Sequence, residues 1–442
     1  MDELWCIKGE FYDLTNDSGF MLTHKGGMEK LMLGRGSRQD CVNLMESYHR
    51  LSDQNIYAIL KSNSKLQPIN KEWIDGLDLM IVQPTFDWSS PFHTEMTCRV
   101  KQYFKSHDLS PKAPLIFWLV YGPIALFSMY ISYVTLIELN DPLLASIASA
   151  LMMCMGFAWF HTGSHNALSD YYMVNEGVVL IWCTPMLWLK FFWQVHHVDW
   201  HHIFTGILDF DSDVTIVDVL FRKCKEMGYL WNHRFQKFYF TFTMTVFPGQ
   251  WTSQSWAYIK ASFGATLFDR RVAMQNLSSF TLDLLSIIVH LTLFWIYPSY
   301  KFGFSNCCIT TLTFYIVEST VYYILVFPDH DVDVCEIKTI DTYNKDWSKQ
   351  QIQSSASFKL PFWVEQLTGG ISNQRAHHVF PGVHPWHYHD LDETIIKPLC
   401  REHNVGYHEF NNWFTAASSH RNMLDKYSVD PNNQNKDKIK LI

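Results

Sequence analysis

Residues 142–165 read PLLASIASALMMCMGFAWFHTGSH, an apolar run that ends in two histidines. A helix rises about 1.5 Å per residue, so about 20 apolar residues suffice to cross the hydrocarbon core of a bilayer. His161 and His165 lie four positions apart, which places both imidazoles on one face of a helix that continues past the apolar run. This stretch predicts a membrane-spanning helix that carries two candidate metal ligands at its end.

Further apolar runs predict three more crossings. The run at about 114–137 is separated from the one quoted above only by the polar turn ELND, which predicts a helical hairpin. A second hairpin is predicted at about 284–297, extended by its flanks, and 306–327. Residues 178–192 are apolar but few and include Pro185, so we expect an interfacial or half-inserted helix there.

The charges that flank these spans predict the orientation of the protein in the membrane. Cationic residues concentrate on the side of the termini and the central loop, where the positive-inside rule places the cytosol. They are Lys105, Lys112, Arg270 and Arg271, whereas the opposite turns carry only Lys301. We therefore expect cytosolic N- and C-termini.

The C-terminal sequence KDKIKLI predicts a location. Lys438 and Lys440 occupy the fifth and third positions from the end. This spacing resembles the dilysine signal that returns membrane proteins to the endoplasmic reticulum and that acts from the cytosolic side. A basic tail without a targeting role is the alternative. We expect a multi-pass protein of the endoplasmic reticulum membrane.

Charge and cysteine content exclude other classes of function. The formal net charge is −8 and no sustained run of Lys or Arg occurs, which argues against a nucleic-acid partner. The ten cysteines are scattered without a C-x-x-C pair, so we interpret them as reduced structural thiols. The N-terminal MDELWC lacks the basic and apolar regions of a cleavable signal peptide, so we expect internal spans to direct insertion.

Two more histidine clusters follow the first along the chain. WQVHHVDWHH at 193–202 contains four histidines, and NQRAHHVFPGVHPWHYHD at 373–390 contains five together with Gln374. The second hairpin separates them and returns the chain to the same membrane face, where His330 also follows the last span. The shared side predicts one site built from distant segments.

The composition of this site constrains the metal. About eight imidazole nitrogens suit a borderline transition metal, and imidazole alone is compatible with zinc, copper and iron. Zinc needs only about four ligands, and a hydrolytic zinc site keeps about three protein ligands, so the surplus favours two metal ions. Because the histidines lie at the ends of membrane helices beside an apolar slot, we favour a redox pair, since unactivated C–H bonds require an oxidant.

The same residues resemble the three histidine boxes of membrane fatty-acid desaturases. We call His161 with His165 box one, residues 193–202 box two, and GGISNQRAHHVFPG at 369–382 box three. Box three is the most specific, because in front-end desaturases Gln replaces its first His within a stretch like GG-x-N-x-Q-x-x-H-H-x-F-P. The resemblance extends through DWSKQQIQSS and IIKPLCREHNVGYHEF and covers about 114–410.

The resemblance implies a mainly α fold, with a four-helix transmembrane desaturase domain and a cytosolic cap that carries the histidine boxes. It also implies a di-iron centre that uses O2 to desaturate a long-chain acyl-CoA or acyl-lipid. The distance from Trp193 favours His197 over His196 as a ligand. The implied metal ligands are His161, His165, His197, His201, His202, His330, Gln374, His377 and His378.

Two departures from the desaturase pattern leave the reaction open. Box two has three residues between His197 and the histidine pair where two are commoner, which could shift one ligand by a helical step. Box three has Arg375 and Ala376 where Ile-Glu is usual. Related enzymes hydroxylate lipids with similar boxes, so a lipid hydroxylase is an alternative. A catalytically inactive membrane adaptor that binds lipid is the non-enzymatic alternative.

The N-terminal segment LWCIKGEFYDLT…HKGGMEKL…MESYHR resembles cytochrome b5, in which two histidines bind haem b from opposite sides. By this resemblance His24 and His49 bind the haem, which receives electrons from an NAD(P)H-cytochrome b5 reductase and passes them to the di-iron centre. Lys25 replaces the usual proline, so a degenerate domain that folds without haem is the alternative. Front-end desaturases and insect cytochrome b5-related proteins share this combination of domains.

We therefore predict four segments along the chain. They are a small α+β cytochrome b5-like domain at 1–70, a linker on the membrane surface at 71–112, a desaturase domain at 113–415 and a polar cytosolic tail at 416–442.

Two interpretations concern polar residues near the boxes. We interpret His290, within the third span, as a buried hydrogen-bonding residue and not as a ligand. The acids of DFDSD at 209–213 are interpreted as residues that orient ligand histidines.

Overall fold

The computed structural model describes residues 4–35, 40–52, 55–69, 83–216, 218–246, 249–263, 267–273 and 275–431. Over this part of the chain the protein is mainly helical and has two short pairs of strands. The expected fold class is confirmed: four helices long enough to span a membrane, a helical cap that carries the histidine boxes, and a small N-terminal α+β unit. Lys438 and Lys440 of the predicted dilysine signal lie outside the described residues.

The N-terminal unit combines one antiparallel pair of strands with four short helices. Strands β1 (Trp5–Ile7) and β2 (Glu10–Tyr12) pair directly, with Trp5 opposite Tyr12. The helices are α1 (Ser18–Thr23), α2 (Gly27–Met32), α3 (Val42–His49) and α4 (Ile56–Ser62).

Local hydrogen bonds and a small apolar core hold this unit together. The side chain of Asp17 accepts a hydrogen bond from Phe20 N and so caps α1. Trp5 is only 1% exposed, and its indole donates to Leu31 O in α2 at 2.7 Å. The strands thus pack against α2, the helix that the H-x-G-G turn precedes.

Helix α5 (Pro91–Ser106) lies within the predicted surface linker, where the sequence did not lead us to expect a helix. Ser90 caps it by accepting a hydrogen bond from His93 N at 3.2 Å, and Pro91 occupies its first position, where proline is favoured. Its buried stripe is one residue wide, which explains the weak periodicity in the sequence. The apolar residues of this stripe are Phe92, Met96, Val100 and Phe104.

The first membrane hairpin consists of α6 (Leu115–Leu139) and α7 (Pro142–Ser164). Asn140, with φ 51°, makes the turn, and Asp141 caps α7. Helices α8 (Tyr172–Met186) and α9 (Lys190–Phe204) follow and are bent by 112° relative to each other. Neither helix of this bent pair is long enough to cross alone, as we expected for this segment.

The second membrane hairpin follows a group of shorter helices. These helices are α10 (Ser212–Thr215), α11 (Gln236–Val246), α12 (Gly249–Ala261) and α13 (Leu267–Ala273). The hairpin consists of α14 (Leu277–Phe302) and α15 (Phe304–Val326), which confirms the four predicted crossings. Ser149 Oγ in α7 donates to Phe314 O in α15 at 2.6 Å, so the spans that precede box one and His330 are neighbours.

The rest of the cap follows the last span. Its elements are α16 (Trp347–Gln353), β3 (Ala356–Phe358), α17 (Phe362–Leu367), α18 (Gln374–Val379), α19 (388–402), β4 (His408–Phe410) and α20 (Trp413–Tyr427). Strands β3 and β4 pair in parallel. Helix α20 extends into the predicted polar tail, where Met423 and Leu424 pack in one apolar cluster with Phe240 and Phe327.

Two glycines at the start of box three allow it to lie against the end of α7. Gly369 and Gly370 have φ of 71° and 70°, a region that favours glycine. A Cβ on Gly369 would lie 2.9 Å from Ala158 Cα in α7, and one on Gly370 would lie 2.7 Å from Pro385 Cβ. The chain therefore needs both glycines to bring α18 against box one.

Arg375 connects box three to α19 and faces away from the histidines. It is fully buried, and its guanidinium donates two hydrogen bonds to the Asp392 carboxylate, at 3.2 and 2.6 Å. A third hydrogen bond reaches His408 O at 2.6 Å. The unusual residue of box three thus anchors α18 through a buried ion pair.

We expect Arg375→Met to lower the free energy of unfolding by about 3 kcal/mol, because it removes the buried guanidinium and leaves the Asp392 carboxylate with only the Lys397 ammonium, 3.7 Å away. Chemical denaturation of the protein in detergent micelles measures this change. Arg99 is the matched control, since its ion pair with Glu402 is exposed and Arg99→Met should change the free energy by less than about 1 kcal/mol. Equal effects of the two substitutions would contradict the anchoring role.

Candidate metal centre

Box one lies at the end of the second span. His161 is in the last turn of α7, and His165 is the residue that ends this helix. Their exposed fractions are 2% and 1%, and the two rings meet edge to face with centroids 5.0 Å apart. The spacing of the two histidines therefore places both rings at the same point of the cap.

Box two lies in α9, which widens from α to π geometry over Gln194–His201. A π turn joins residues five positions apart by a backbone hydrogen bond, where an α turn joins residues four apart. His197 and His202 are five positions apart, and their Nε2 atoms approach to 3.1 Å. The wider turn accommodates the additional residue of this box, and both histidines remain in the site.

Box three brings the remaining histidines to the same place. The ring centroid of His377 lies 4.5 Å from that of His161, and the ring of His378 stacks on His202 at 4.2 Å. His330, which follows α15, contacts His378 with centroids 4.5 Å apart. Segments separated by some 200 residues in the sequence thus meet in one buried cluster.

The buried nitrogens form two adjacent groups, and within each group the possible ligand atoms lie within 4.8 Å of one another. Eight imidazoles exceed what one metal ion needs and suit two. The larger group consists of His161, His165, His197, His202 and His377, and the smaller one of His201, His330 and His378.

In several of these histidines a hydrogen bond to one ring nitrogen determines that the other nitrogen faces the cluster. A histidine that binds a metal typically has its other nitrogen engaged by a protein group. In three rings Nδ1 has such a partner, whereas the buried Nε2 has none among the described residues. The Nδ1 contacts are His165 with Tyr48 OH at 3.3 Å, His377 with Tyr388 OH at 3.0 Å and His378 with Gln351 Oε1 at 2.8 Å. These inward-facing nitrogens fit bound metal ions.

Acidic residues orient the smaller group. His201 Nδ1 lies 2.9 Å from an Asp211 oxygen and 3.4 Å from an Asp213 oxygen. The second oxygen of Asp211 accepts a hydrogen bond from Gly206 N at 2.7 Å, which fixes the carboxylate. His330 Nδ1 lies 2.8 Å from a backbone oxygen, that of Ser354. Two acids of the DFDSD segment therefore lie where they can orient a ligand histidine.

Gln374 lies at the edge of the smaller group. Its amide nitrogen is 3.0 Å from His330 Nε2, and its amide oxygen is buried without a hydrogen-bond partner in the described part of the chain. Rotation of the amide by half a turn exchanges the two atoms. An amide oxygen can therefore face the cluster from this position.

Burial controls the charge of the cluster. Burial, reinforced by neighbouring imidazoles, holds the pKa of His197, His202 and His378 well below the usual range for histidine. Burial also lowers the pKa of His201, but the carboxylates of Asp213 and Asp211 outweigh this effect and raise it to about 9. These three histidines are thus neutral at pH 7, which is the form of imidazole that binds a metal.

The other histidines near the boxes lie outside both groups. His196 Nε2 is 2.7 Å from Asp213, and its side chain turns away from the cluster. His384 packs on Phe117 with centroids 4.3 Å apart, and His389 is exposed. His290 contacts Thr184 O and Tyr315 OH within the membrane, as a buried hydrogen-bonding residue does.

Aromatic side chains cover the cluster on its membrane side. Phe157 stacks on His161 with centroids 5.2 Å apart and meets Tyr322 of α15 at 5.4 Å. One turn before Tyr322 lies Glu318, which is fully buried and whose two carboxylate oxygens have no hydrogen-bond partner among the described residues. The sequence analysis did not single out this carboxyl, which lies inside an apolar span.

The N-terminal unit holds a separate pair of histidines. His24 and His49 face each other with ring centroids 5.9 Å apart. Their Nδ1 atoms contact Gly27 O at 3.1 Å and Met45 O at 2.7 Å, which leaves Nε2 as the nitrogen available for a metal. This separation and this choice of nitrogen fit one iron bound between two imidazoles.

Comparison with known sequences assigns the part of the chain that carries the three histidine boxes to a family. The pattern described as Fatty acid desaturase matches residues 141–411, from the start of α7 to β4. The chain belongs to the fatty acid desaturase family. This desaturase is therefore a multi-pass membrane oxidoreductase that acts on a fatty acyl lipid with O2.

Several curated relatives of this desaturase align along most of its length. It is 26% identical to Delta(5) fatty acid desaturase A of Dictyostelium discoideum, over 97% of this chain and 92% of the relative. It is 24% identical to the acyl-lipid (8-3)-desaturase of Mortierella alpina, over 97% and 95%. It is also 24% identical to the sn-1 linoleoyl-lipid 6-desaturase of Arthrospira platensis, over 78% of this chain and 95% of the relative.

The hydrogen-bond partners of the ligand histidines could not be predicted from the sequence. Gln351 and Tyr388 lie outside the histidine boxes, and Tyr48 belongs to a different unit of the desaturase. The only signal for Gln351 was its place in DWSKQQIQSS, a stretch already noted for its resemblance to the family. Tyrosines and glutamines are common, so their contact with a metal ligand becomes evident only in three dimensions.

Asp211→Asn should weaken metal binding by about 10–100-fold, because it removes the carboxylate that orients His201. Elemental analysis of this desaturase after dialysis against a series of chelator concentrations measures the change. Asp209→Asn is the matched control, since Asp209 is exposed and belongs to the same acidic segment. Equal metal retention in the two variants would show that Asp211 does not orient a ligand.

Proposed function

We propose that this desaturase binds two iron ions in the histidine cluster and haem b between His24 and His49. Desaturation would consume one O2, two electrons and two protons and release two waters as two vicinal hydrogens leave a long-chain acyl group, and a pair of irons held by these histidines would supply the O2 chemistry. The electrons come from an NAD(P)H-cytochrome b5 reductase through the haem. The observation that carries this proposal is the arrangement of eight imidazoles, seven of them buried and that of His330 half-buried, in two adjacent groups.

The choice of iron is supported by the reaction of the family and by the ligands. Imidazole also binds zinc and copper, but abstraction of hydrogen from an unactivated chain needs a metal that can react with O2. The proposed ligands are the eight grouped histidines and Gln374, whose amide oxygen would face the cluster after rotation of the amide by half a turn. Asp211, Tyr388 and Gln351 orient three of the rings.

The residues around the cluster hold the substrate and exclude water. Phe157 and Tyr322 form an apolar wall directly below His161, on the side of the membrane from which an alkyl chain enters. The neighbouring Trp193 stacks on His197 with centroids 4.2 Å apart and covers the same side. A dry site of this kind protects the oxidant from side reactions with water.

The haem assignment is supported by the facing rings of His24 and His49 and by relatives that align with the N-terminal residues as well as with the desaturase domain. A haem with two protein ligands transfers electrons without binding O2. Relatives named for their action on acyl-lipids support an acyl-lipid substrate, and an acyl-CoA is the alternative. The flanking charges support cytosolic termini, and the dilysine-like spacing of Lys438 and Lys440 supports the endoplasmic reticulum membrane.

His378→Ala should abolish formation of the double bond, because it removes a ring that lies between both groups of the cluster. Lipid profiling of a host that is fed candidate fatty acids measures the product, and a hydroxylated product in the unsubstituted protein would indicate the hydroxylase alternative. His389→Ala is the control, since His389 belongs to the same segment but is exposed. Desaturation by His378→Ala at the rate of the control would overturn the assignment.

His49→Ala should remove the haem absorbance of the purified protein while about two irons per chain remain in the cluster. Optical spectroscopy and elemental analysis of the same sample measure the two cofactors separately. His107→Ala is the control, since His107 is exposed at the end of α5. An unchanged haem spectrum in His49→Ala would contradict the proposed haem ligand.

A further inference from the structure

The N-terminal unit packs directly on box two. Leu33, at the end of α2, and Leu44 in α3 share an apolar cluster with Trp200 and Phe204 of α9. At Gly27, where φ is 82°, a Cβ would lie 2.3 Å from the ring of Tyr172 at the start of α8. The backbone of the H-x-G-G turn thus touches the desaturase domain, and the helix that ends at His49 lies against the histidine cluster.

Arg50 fixes the end of α3 to box three. Its guanidinium is buried and donates hydrogen bonds to Val379 O, to Thr97 Oγ1 at 3.0 Å and to Ser348 Oγ at 3.2 Å. It also lies 4.4 Å from the centroid of the Phe380 ring. Because buried arginines are rare unless paired, this set of partners specifies where the N-terminal unit docks.

Tyr48 extends from the same turn of α3 into the metal centre. Its hydroxyl lies 3.3 Å from His165 Nδ1 and 3.4 Å from Val198 O. A backbone carbonyl only accepts hydrogen bonds, so the phenol proton is donated to Val198 and the phenol oxygen accepts the proton on His165 Nδ1. His165 Nε2 is then unprotonated, and it is one of the buried nitrogens without a protein partner.

We propose that Tyr48 is a positioning residue of the metal centre, supplied by the N-terminal unit. Its hydroxyl holds His165 in the tautomer and orientation that present Nε2 to the larger group. Because Tyr48 directly precedes His49, the same contact also sets the distance between the haem ligand and a metal ligand. This inference rests on the proposed function, since it requires that the cluster bind metal.

The contact between the Tyr48 hydroxyl and His165 differs from the corresponding contacts of the other ligand histidines. His377 and His378 take their Nδ1 partners from the desaturase domain itself, namely Tyr388 and Gln351. His165 differs, because in the described part of the chain its Nδ1 partner is a residue of the N-terminal unit. His165 therefore has this Nδ1 partner only when the N-terminal unit is docked.

Tyr48→Phe in the full chain tests the proposal. We expect iron to be lost at a chelator concentration about 10–100-fold lower than in the unsubstituted protein, as is typical when a partner of a ligand histidine is removed. The haem absorbance and the melting temperature should stay the same, since the phenyl ring keeps the packing. Mössbauer spectra of the iron centre give a second readout that does not depend on turnover.

Two variants calibrate the result. Tyr57→Phe is the matched control, because Tyr57 belongs to the same unit but its hydroxyl bonds to Glu46, away from the cluster. Tyr388→Phe should lose iron as Tyr48→Phe does, since it removes the corresponding partner of His377. Iron retention by Tyr48→Phe equal to that of Tyr57→Phe would overturn the proposal.

A second pair of variants keeps the test decisive if Tyr48→Phe does not fold. Tyr48→Gln retains an oxygen that can accept from His165 Nδ1, whereas Tyr48→Leu has a similar size and no acceptor. The glutamine variant should retain more iron than the leucine variant, and equal retention would overturn the proposal. Absence of iron from the unsubstituted protein would instead overturn the proposed function, so the two failures are distinguishable.

Discussion

The packing of eight imidazoles, seven of them buried, within a few ångströms of one another is the constraint on which the rest of the structure depends. A buried polar nitrogen without a partner costs about 1–3 kcal/mol, and protonation of adjacent rings would add repulsion between like charges. The rings are therefore neutral where no carboxylate faces them, and Nδ1 is engaged by phenol, amide, carboxylate or backbone groups in several of them. The opposite nitrogens face inward, an arrangement that bound cations compensate.

The fold satisfies this constraint through backbone geometry at a few points. Two membrane hairpins return the chain to one face, so that box one and His330 follow neighbouring spans. A π turn places His197 and His202 together despite the additional residue between them. Gly369 lets box three approach the backbone of α7 to a distance that a side chain would prevent, and Gly370 does the same against Pro385 and Tyr388. The π turn and the two glycines are local features of the backbone. Together with the hairpins they bring three distant segments to one site.

The sequence predicted the parts of the molecule that repeat a simple pattern. Long apolar runs gave the four spans, and clustered histidines gave the residues that meet in the cap. Helix α5 escaped prediction because its buried stripe is one residue wide, and α20 because it is mostly polar. The contacts of Tyr48, Gln351 and Tyr388 with ligand histidines escaped because they join segments whose proximity only the tertiary fold creates. The fused N-terminal unit and the metal centre were predicted separately, whereas the structure joins them.

Each of the two departures from the family pattern is accommodated by the structure next to it. The departures therefore do not explain which substrate is used. The additional residue in box two is accommodated by a wider turn, and Arg375 turns from the cluster to a buried carboxylate, Asp392. Neither departure alters which nitrogens face the cluster. Differences in the bond that is oxidised would then originate in the apolar layer below the boxes, where Tyr322 meets Phe157. Glu318 lies one turn before Tyr322 on α15, and its buried carboxyl, which has no hydrogen-bond partner among the described residues, makes this span unlike a purely apolar one.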